Sequence, residues 1–414
     1  MFALKSTTKK SFYWCMYDWA NSAFAVCIIS GFFPIFFKSY WARSLDSTDS
    51  TYWLGIFSSL ISAFIFFFSP LLGQISNTTS SKMRNLRVVT LLGVASCLLF
   101  VTAGEDQWWW AGVIFIVSSI CFNLSHLFYD SLLPEYSQGS EDYHSNSLMG
   151  YGLGYLGGGL IFLLQSLVIQ KPEIFGIDKV TAVYGAFVTT ALWWLFFSAP
   201  LLMSKPLHHY NESDDQVDLK AFFQKLKGLI LSPTPLSLFL ISYFFYIDGV
   251  HTVYKMAVDY GLSIGLESST MILTLLIVQF VGFPAALLFT WLSHRISKFL
   301  ILKLGILAYL VVILLATQIH TAAQFIACGV LIGIFQGSVQ ALSRSYFCEL
   351  IPSKEETGSY FGLYNMLGKF SALFGPLTTG LVTSLTGSHR IGLMSLSIYL
   401  ILGLVFFPKD QKKA

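Results

Sequence analysis

The chain has 414 residues, of which 55% are hydrophobic and 11% are charged, and its formal net charge is +3. A soluble domain carries about 25% charged residues, and most residues of a fold this size lie near its surface. The composition therefore excludes a soluble globular protein and predicts a protein embedded in a lipid bilayer. No basic block or stripe is present, so we expect no nucleic-acid partner.

Twelve apolar runs are long enough to cross a bilayer as helices, which takes about 20 residues each. The runs do not alternate polar and apolar residues as barrel strands do, so we predict an all-α membrane protein. The first run is too long for the core of a cleavable signal and should remain as a span. The predicted spans are Trp14–Phe37, Tyr52–Leu72, Leu86–Ala103, Trp108–Tyr129, Leu148–Val168, Val180–Leu202, Leu236–Val258, Met271–Leu292, Phe299–Ala316, Ala322–Leu342, Tyr360–Leu381 and Ile391–Phe407.

The loops between these spans differ in their content of Lys and Arg. If the N-terminus is cytoplasmic, 18 of the 25 basic residues lie on that side. The opposite side has five, namely Lys38, Arg43, Lys171, Lys179 and Arg390. Because cytoplasmic loops are enriched in Lys and Arg, we predict that both termini are cytoplasmic.

The longest polar stretch separates the sixth span from the seventh and runs from Ser204 to Pro235. After an acidic run at residues 211–215, apolar residues recur at helical spacing among Lys220, Lys225 and Lys227. This pattern is typical of an amphipathic helix on the cytoplasmic leaflet, although it also suits a continuation of the seventh span. We therefore predict a six-helix bundle at 1–203, a linker at 204–235 and a second six-helix bundle at 236–414.

The two predicted bundles repeat short sequence features at a constant offset of 218 residues. Pro134 follows the fourth span as Pro352 follows the tenth, and the same offset relates Gly150 to Gly368. Repeats of this kind enclose a central site near the bilayer midplane, so we predict two six-helix pseudo-repeats around a cavity.

Polar residues inside spans are the candidates for that cavity, because an ionisable side chain in lipid costs roughly 2.5–3.5 kcal/mol. In the first span they are Asp18 and Asn21. The Asp18 carboxylate can bind a proton or a substrate amine, pair with a cation of a gate, or cap the start of the helix.

The fourth span places Asn123, His126 and Asp130 on one helix face, at spacings of i, i+3 and i+7. Asp130 lies near the cytoplasmic end and suits a gate. His126 lies deeper, where it is either a proton-coupling residue or a packed core histidine.

The seventh span is the most polar, with Tyr246, Asp248, His251 and Lys255 within ten residues. Asp248, His251 and Lys255 again share one face, which we expect to meet an internal cavity. The alternative is a structural Asp–Lys pair that takes no part in transport.

The tenth span presents Gln336, Gln340 and Arg344 at four-residue spacing. The two amides can bind polar groups of a substrate. Arg344 should emerge at the cytoplasmic rim, where a contact with Asp130 would close a gate.

The eleventh span carries Asn365 and Lys369 one turn apart. Lys369 lies about midway across the membrane. It can meet a substrate carboxylate or be neutralised by a carboxylate of the other bundle.

Other motifs argue against catalysis. Gly152–Gly157 matches GxGxxG but lies inside an apolar helix, where small residues allow close helix packing. A dinucleotide site would need a preceding strand. There is no Walker lysine motif, HExxH or GxSxG, and the six cysteines form no CxxC pair. We therefore expect no enzyme activity, no cofactor and no metal.

Several segments together resemble the vacuole-effluxer-type branch of the major facilitator superfamily, which includes autophagy-related amino-acid effluxers. They occur in order along nearly the whole chain. They are Tyr17–Phe24, Phe128–Glu135, Tyr246–Gly249, Gln340–Tyr346, Tyr360–Asn365 and Gly368–Phe370.

The chain departs from the superfamily pattern after the second span. The usual loop there contains an acidic residue, but here Gly73 is followed by Asn77 and Thr78. The stretch from His294 to Lys298, after the eighth span, lacks an Asp as well. We expect Asp18, Asp130 and Arg344 to carry the gating function instead.

The resemblance implies a secondary active transporter that works by alternating access, driven by a proton gradient or by the gradient of its substrate. It implies a small amino-acid-like substrate. The alternatives are a transporter of a siderophore, sugar or nucleoside, and a non-transporting receptor on the same fold. We expect a monomer in a prokaryotic inner membrane.

Overall fold

The computed structural model describes residues 9–45, 47–206, 228 and 234–408. In the N-terminal half, a long helix α1 crosses first, and Phe24–Phe32 and Phe37–Trp41 within it are π-helical. Five α-helices follow it. The six helices are α1 (Lys9–Trp41), α2 (Ser47–Gln74), α3 (Thr79–Leu98), α4 (Trp108–Ser131), α5 (Ser140–Gln170) and α6 (Lys179–Met203).

The C-terminal half has four long helices followed by two interrupted spans. The eleventh span consists of α11 and α12, and the twelfth of α13 and α14. The elements are α7 (Pro235–Ser263), α8 (Ser268–Ser293), α9 (Lys298–Ala316), α10 (Ala322–Leu350), α11 (Thr357–Ser371), α12 (Phe374–Thr386), α13 (His389–Met394) and α14 (Ser397–Val405). The predicted twelve-helix membrane fold is confirmed. Most of the predicted amphipathic segment of the linker lies outside the described residues.

The outer surface of the helices is apolar, as contact with lipid requires. Phe67 is 71% exposed, Phe196 72% and Leu385 77%. Exposure of such side chains to water is unfavourable, whereas their contact with apolar lipid tails is not. The polar side chains instead lie inside the bundle, where Asp18, Asp130 and many Ser and Thr residues are buried.

Side-chain caps fix several helix starts. Thr78 accepts a hydrogen bond from the Ser81 amide at the start of α3, and Asp178 accepts one from the Thr181 amide at the start of α6. The hydrogen bonding from Thr181 lowers the pKa of Asp178, because it favours the charged carboxylate. At the end of α12, Gly387 adopts a φ of 68°, a conformation that glycine enters without steric cost.

Several helices extend beyond the predicted spans, and α5 and α10 do so by eight residues at one end. The structure continues α10 to Leu350, past the predicted end at Leu342, and starts α5 at Ser140 instead of Leu148. Polar residues ended the predicted spans because they are costly in lipid. In the fold several of these residues, among them His144, Ser147 and Arg344, contact the other half of the protein, so the helices continue through them.

The two halves pack together through α5, which contacts α8 and α10, and through α2, which contacts α11. The predicted packing role of the Gly152–Gly157 segment is confirmed, because a Cβ at Gly157 would lie 2.7 Å from the Trp19 ring of α1. The α2–α11 contact also depends on glycine. A Cβ at Gly362 would lie 2.6 Å from the carbonyl oxygen of Ser69.

Candidate functional site

A central cavity of about 350 Å³ lies between the two halves. Helices α1, α4 and α5 line one side of it, and α7, α8, α10 and α11 line the other. The cavity ends at Arg344 on one side, and on the other it extends to Ser30, which is exposed, and to Tyr254. The hydroxyl groups of Ser30 and Tyr254 are 3.5 Å apart.

Most of the polar residues singled out in the sequence line this cavity. The N-terminal half contributes Asp18, Asn21, Asn123, His126 and Asp130. The C-terminal half contributes His251, Lys255, Gln336, Gln340, Arg344, Asn365 and Lys369. Helices separated in sequence thus bring their polar faces together, as the spacing of these residues predicts.

Tyr246 and Asp248 do not line the cavity. The Tyr246 hydroxyl lies 2.6 Å from the Ser343 hydroxyl. Asp248 is 1% exposed, and its Oδ1 accepts hydrogen bonds from the Gly375 amide at 3.1 Å and from the Thr252 hydroxyl at 3.3 Å. Asp248 therefore caps the start of α12, where the eleventh span is interrupted.

Two substitutions test whether Asp248 acts as a helix cap. Asp248→Asn keeps a carbonyl oxygen for the Gly375 amide, so we expect a folded protein that retains transport. Asp248→Ala leaves that amide without a hydrogen-bond partner and should lower the stability of the fold by about 1–3 kcal/mol. Apparent melting temperatures and transport rates of the two variants measure this. A well-folded Asp248→Asn protein without transport would instead support a role for the carboxylate in the proton pathway.

Arg344 forms the centre of a buried ionic cluster and is 2% exposed. Its Nη1 donates to Asp130 Oδ1 at 2.9 Å, and its Nη2 donates to Asp18 Oδ2 at 3.3 Å. Its Nε donates to the Ser147 hydroxyl at 2.8 Å. The Arg344–Asp130 contact expected from the sequence is present, but Arg344 is buried between the halves rather than emerging at a rim.

Aromatic rings complete the surroundings of the guanidinium group. Its central carbon lies 4.7 Å from the ring centroids of Trp14 and Tyr151 and 5.4 Å from that of Tyr129. The Tyr129 hydroxyl also donates to Asp18 Oδ2 at 2.9 Å. Since Arg344 belongs to the C-terminal half and these partners to the N-terminal half, the cluster joins the two halves.

The end of the bundle that contains this cluster is called the closed end below. Further contacts join the halves there. His144 Nδ1 lies 2.7 Å from the Ser345 hydroxyl, and its Nε2 lies 3.1 Å from Glu349 Oε2. The Ser147 hydroxyl donates to the Ala341 carbonyl at 2.8 Å. These contacts were not predicted, because Ser and His in a polar loop give no specific signal in the sequence.

A second buried ion pair supports the closed end from within the N-terminal half. Lys82 Nζ and Glu135 Oε1 are 2.5 Å apart, and both side chains are fully buried. The pair connects α3 to the 3-10 turn Pro134–Tyr136. It holds the loop after α4 in place, and that loop precedes the helix carrying His144 and Ser147.

Asn77 occupies the place of the missing acidic residue after the second span. Its Oδ1 accepts hydrogen bonds from the Ser359 amide at 3.0 Å and from the Ser359 hydroxyl at 3.1 Å. Ser359 is in the first turn of α11, where backbone amides lack partners within the helix. A neutral amide therefore caps this helix from the other half of the protein.

We expect Asn77→Ala to destabilise the closed end by about 0.5–2 kcal/mol, the usual cost of losing a helix cap. Asn77→Asp should stabilise the closed end by about 0.3–1 kcal/mol, because a negative charge is favourable near a helix N-terminus. Apparent melting temperatures without added solute measure both effects. Ser359→Ala is the control, since it keeps the amide donor and should change the melting temperature less than Asn77→Ala.

The part of the cavity away from Arg344 contains two lysines, Lys255 and Lys369. Among the described residues, no carboxylate lies within 4.0 Å of either ammonium group. Gln336 is also buried, and its Oε1 has no hydrogen-bond partner among those residues. This region therefore presents polar groups that a bound solute can satisfy.

Metal binding finds no support in the geometry. In the part of the chain that the structure describes, no group of three or more His, Cys, Asp or Glu side chains is placed to hold a metal ion. The six cysteines are free and buried.

Comparison with known proteins agrees with the resemblance seen in the sequence. The profile of the family described as "Vacuole effluxer Atg22 like" matches residues 6–413. The "Uncharacterized MFS-type transporter YxiO" of Bacillus subtilis (strain 168) is 32% identical over 417 residues, covering 98% of this chain and 96% of the relative. "Autophagy-related protein 22" of Vanderwaltozyma polyspora is 25% identical over 491 residues, covering 98% of this chain and 91% of the relative.

Solved structures support the fold independently of sequence. The structure of the major facilitator superfamily transporter FucP in the outward conformation aligns with a TM-score of 0.68 at 12% identity. The alignment covers 97% of this chain and 98% of FucP. The arrangement of the helices is thus that of major facilitator superfamily transporters.

Proposed function

Because this chain belongs to the Vacuole effluxer Atg22 like family of major facilitator superfamily transporters, we propose that it is a secondary active transporter of a small polar solute. An amino acid or a related metabolite is the proposed substrate class. The resemblance to the vacuole-effluxer-type branch and the size of the central cavity support this class. Protons or the gradient of the solute itself supply the driving force in this proposal.

The observation that carries the proposal is the central cavity that ends at the Arg344 cluster. Among the described residues, every ionic partner of Arg344 lies in the N-terminal half, while Arg344 itself lies in the C-terminal half. Breaking these contacts would let the halves separate at the closed end. Closing the opposite end around Ser30 and Tyr254 would complete an alternating-access cycle.

In this cycle each group of residues has a distinct role. Asp130, Asp18 and Arg344 form the gate at the closed end. The polar residues farther from the gate contact the solute or a proton, and these are Asn21, His126, His251, Lys255, Gln336, Gln340, Asn365 and Lys369. Tyr246 and Asp248 lie outside the cavity lining and stabilise the helices that form it.

The distribution of Lys and Arg in the loops supports a cytoplasmic location for the closed end. The described state would then open away from the cytoplasm. The bacterial relative is consistent with a prokaryotic inner membrane, and we propose that the protein acts there as a monomer with both termini cytoplasmic.

Counterflow in proteoliposomes tests the function. Vesicles loaded with an unlabelled solute are diluted into the same labelled solute, and protein-dependent accumulation shows transport. We expect at least one amino acid to accumulate. Accumulation of only sugars, nucleosides or siderophores would contradict the proposed substrate class. If no solute of the panel accumulates, a non-transporting receptor on the same fold becomes the better explanation.

A further inference from the structure

The charges that line the central cavity are unevenly distributed. Both carboxylates of the lining, Asp18 and Asp130, belong to the N-terminal half and bind Arg344. Among the described lining residues, the other formally charged ones are Lys255 on α7 and Lys369 on α11. The described lining thus has three cations and two carboxylates, and its uncompensated positive charge lies on the C-terminal side.

Asp248 does not neutralise these lysines by direct contact. It lies seven residues before Lys255 on α7, which corresponds to about 10 Å along the helix axis. Its Oδ1 is engaged by the Gly375 amide and the Thr252 hydroxyl, and the side chain lies outside the cavity. In the described part of the chain, neither lysine has a carboxylate within 4.0 Å.

Two neutral side chains of the cavity lining are also incompletely satisfied. Asn21 is 1% exposed and Gln336 6% exposed, and both line the cavity. The Asn21 Nδ2 and the Gln336 Oε1 have no hydrogen-bond partner among the described residues. Buried polar groups normally have partners, so these two unsatisfied groups in the same cavity as the lysines indicate a place for a polar ligand.

We infer that the solute is a small organic anion with two carboxylate groups, held by Lys255 and Lys369. This inference rests on the proposed transport function and specifies its substrate class. Two ammonium groups on different helices of one cavity suit two carboxylates on a short carbon chain. Lys369 is half-buried and Lys255 is exposed where they line the cavity, and binding would compensate both positive charges.

Other solute classes fit the cavity less well. A neutral zwitterionic amino acid has a single carboxylate, so it would leave one of the two lysines uncompensated. A sugar or nucleoside would leave both lysines uncompensated. Two classes of solute have the required pair of carboxylates: dicarboxylic acids without an amine, and acidic amino acids. Succinate represents the first class and glutamate the second.

Ligand binding to the purified full-length protein in nanodiscs tests the inference. Succinate, glutamate and leucine are titrated at pH 7 by calorimetry against the parent, Lys255→Gln and Lys369→Gln. Lys303→Gln is the matched control, because Lys303 is an exposed lysine of α9 that does not line the cavity. Melting temperatures without ligand identify any variant that fails to fold.

We expect succinate, glutamate or both to bind the parent more tightly than leucine. Each cavity variant should weaken that binding by about tenfold to a hundredfold, as expected for the loss of a hydrogen bond to a charged group. Lys369→Arg keeps the charge and should retain more affinity than Lys369→Gln. Lys303→Gln should bind as the parent does.

Three results would overturn the inference: neither dicarboxylate binds, leucine binds at least as tightly, or both glutamine variants keep the affinity of the parent. Counterflow separates this failure from failure of the proposed function. Leucine transport that persists in Lys255→Gln and Lys369→Gln would refute the dicarboxylate site but leave the transporter intact. Lysine-dependent succinate binding without counterflow would retain the site and refute transport.

Discussion

Replacing Arg344 by glutamine should release the closed end of the transporter. The substitution leaves Asp18 and Asp130 without their cation in a buried site, and removing one partner of a buried ion pair costs about 3–5 kcal/mol. That energy is large enough to change the balance between the closed and open forms by about a hundredfold or more. We therefore expect a lower apparent melting temperature and little or no counterflow.

A native cysteine can report the opening directly. Cys15 is fully buried at the closed end, where its Sγ lies 3.4 Å from the Asn146 carbonyl oxygen. With the other five cysteines replaced by alanine, the labelling rate of Cys15 by a maleimide measures access to this end. We expect much faster labelling in Arg344→Gln than in the parent.

Two further variants define what the Arg344 result means. Arg344→Lys keeps the charge but loses the forked donor geometry, so we expect an intermediate labelling rate. Arg295→Gln removes an exposed arginine that stacks on Trp291. In this variant Cys15 should be labelled at the same rate as in the parent. Unchanged melting and labelling in Arg344→Gln would show that the cluster does not hold the halves together.

Replacing Gly358 by valine should separate α2 from α11 at the same end. A Cβ at Gly358 would meet the carbonyl oxygens of Gly73 and Ser76 on the opposite half. These are backbone atoms and cannot rotate away as a flexible side chain can. Overpacking usually costs about 1–3 kcal/mol, so we expect the closed form to lose roughly tenfold or more in population.

The same cysteine measurement and the counterflow rate assess the Gly358 variant. Gly380→Val is the matched control on the same span, because no heavy atom lies within 4 Å of a Cβ there. It introduces the same residue without the clash and should transport as the parent does. Equal labelling of Cys15 in both valine variants would mean that close contact of α2 and α11 is not needed for closure.

The two predictions concern different interactions and can be compared. Arg344 acts through charge and hydrogen bonds, whereas Gly358 acts through the space between two backbones. If both variants open the closed end, combining either with a solute that binds the cavity shows whether ligand binding restores closure. The Asn77 cap adjoins the Gly358 contact, so Asn77→Ala should change the labelling of Cys15 in the same direction but less.

Much of the architecture follows from local sequence. The length of the apolar runs predicts twelve spans because every backbone polar group in lipid must be satisfied within a helix. The spacing of polar residues also predicts helix faces, and it identified both Asp130 and Arg344. Spacing cannot predict which neighbour a face meets, since that depends on how each helix is rotated and shifted against the others.

The seventh span illustrates this limit. Asp248 and Lys255 share a predicted face, yet Lys255 lines the cavity while Asp248 caps α12. The two residues lie at different depths, and the neighbouring helix differs at each depth. The interruption between α11 and α12 that creates this cap lies beside Pro376, which has no N–H to donate to the carbonyl of Ala372, where α11 ends. The predicted span from Tyr360 to Leu381 runs through this proline because it is drawn from hydrophobicity alone.

The sequence by itself determined that this chain lies in a membrane, that its helices form two related groups of six, and that it belongs to a family of transporters. Hydrophobicity and residue order suffice for these conclusions because each depends on local free energies or on similarity along the chain. Only the tertiary structure decided that Arg344 binds Asp18, 326 residues away, and that Lys255 and Lys369 remain without a carboxylate partner in the described part of the chain. Pairing between distant residues depends on packing of the two halves, and packing is a property of the whole fold.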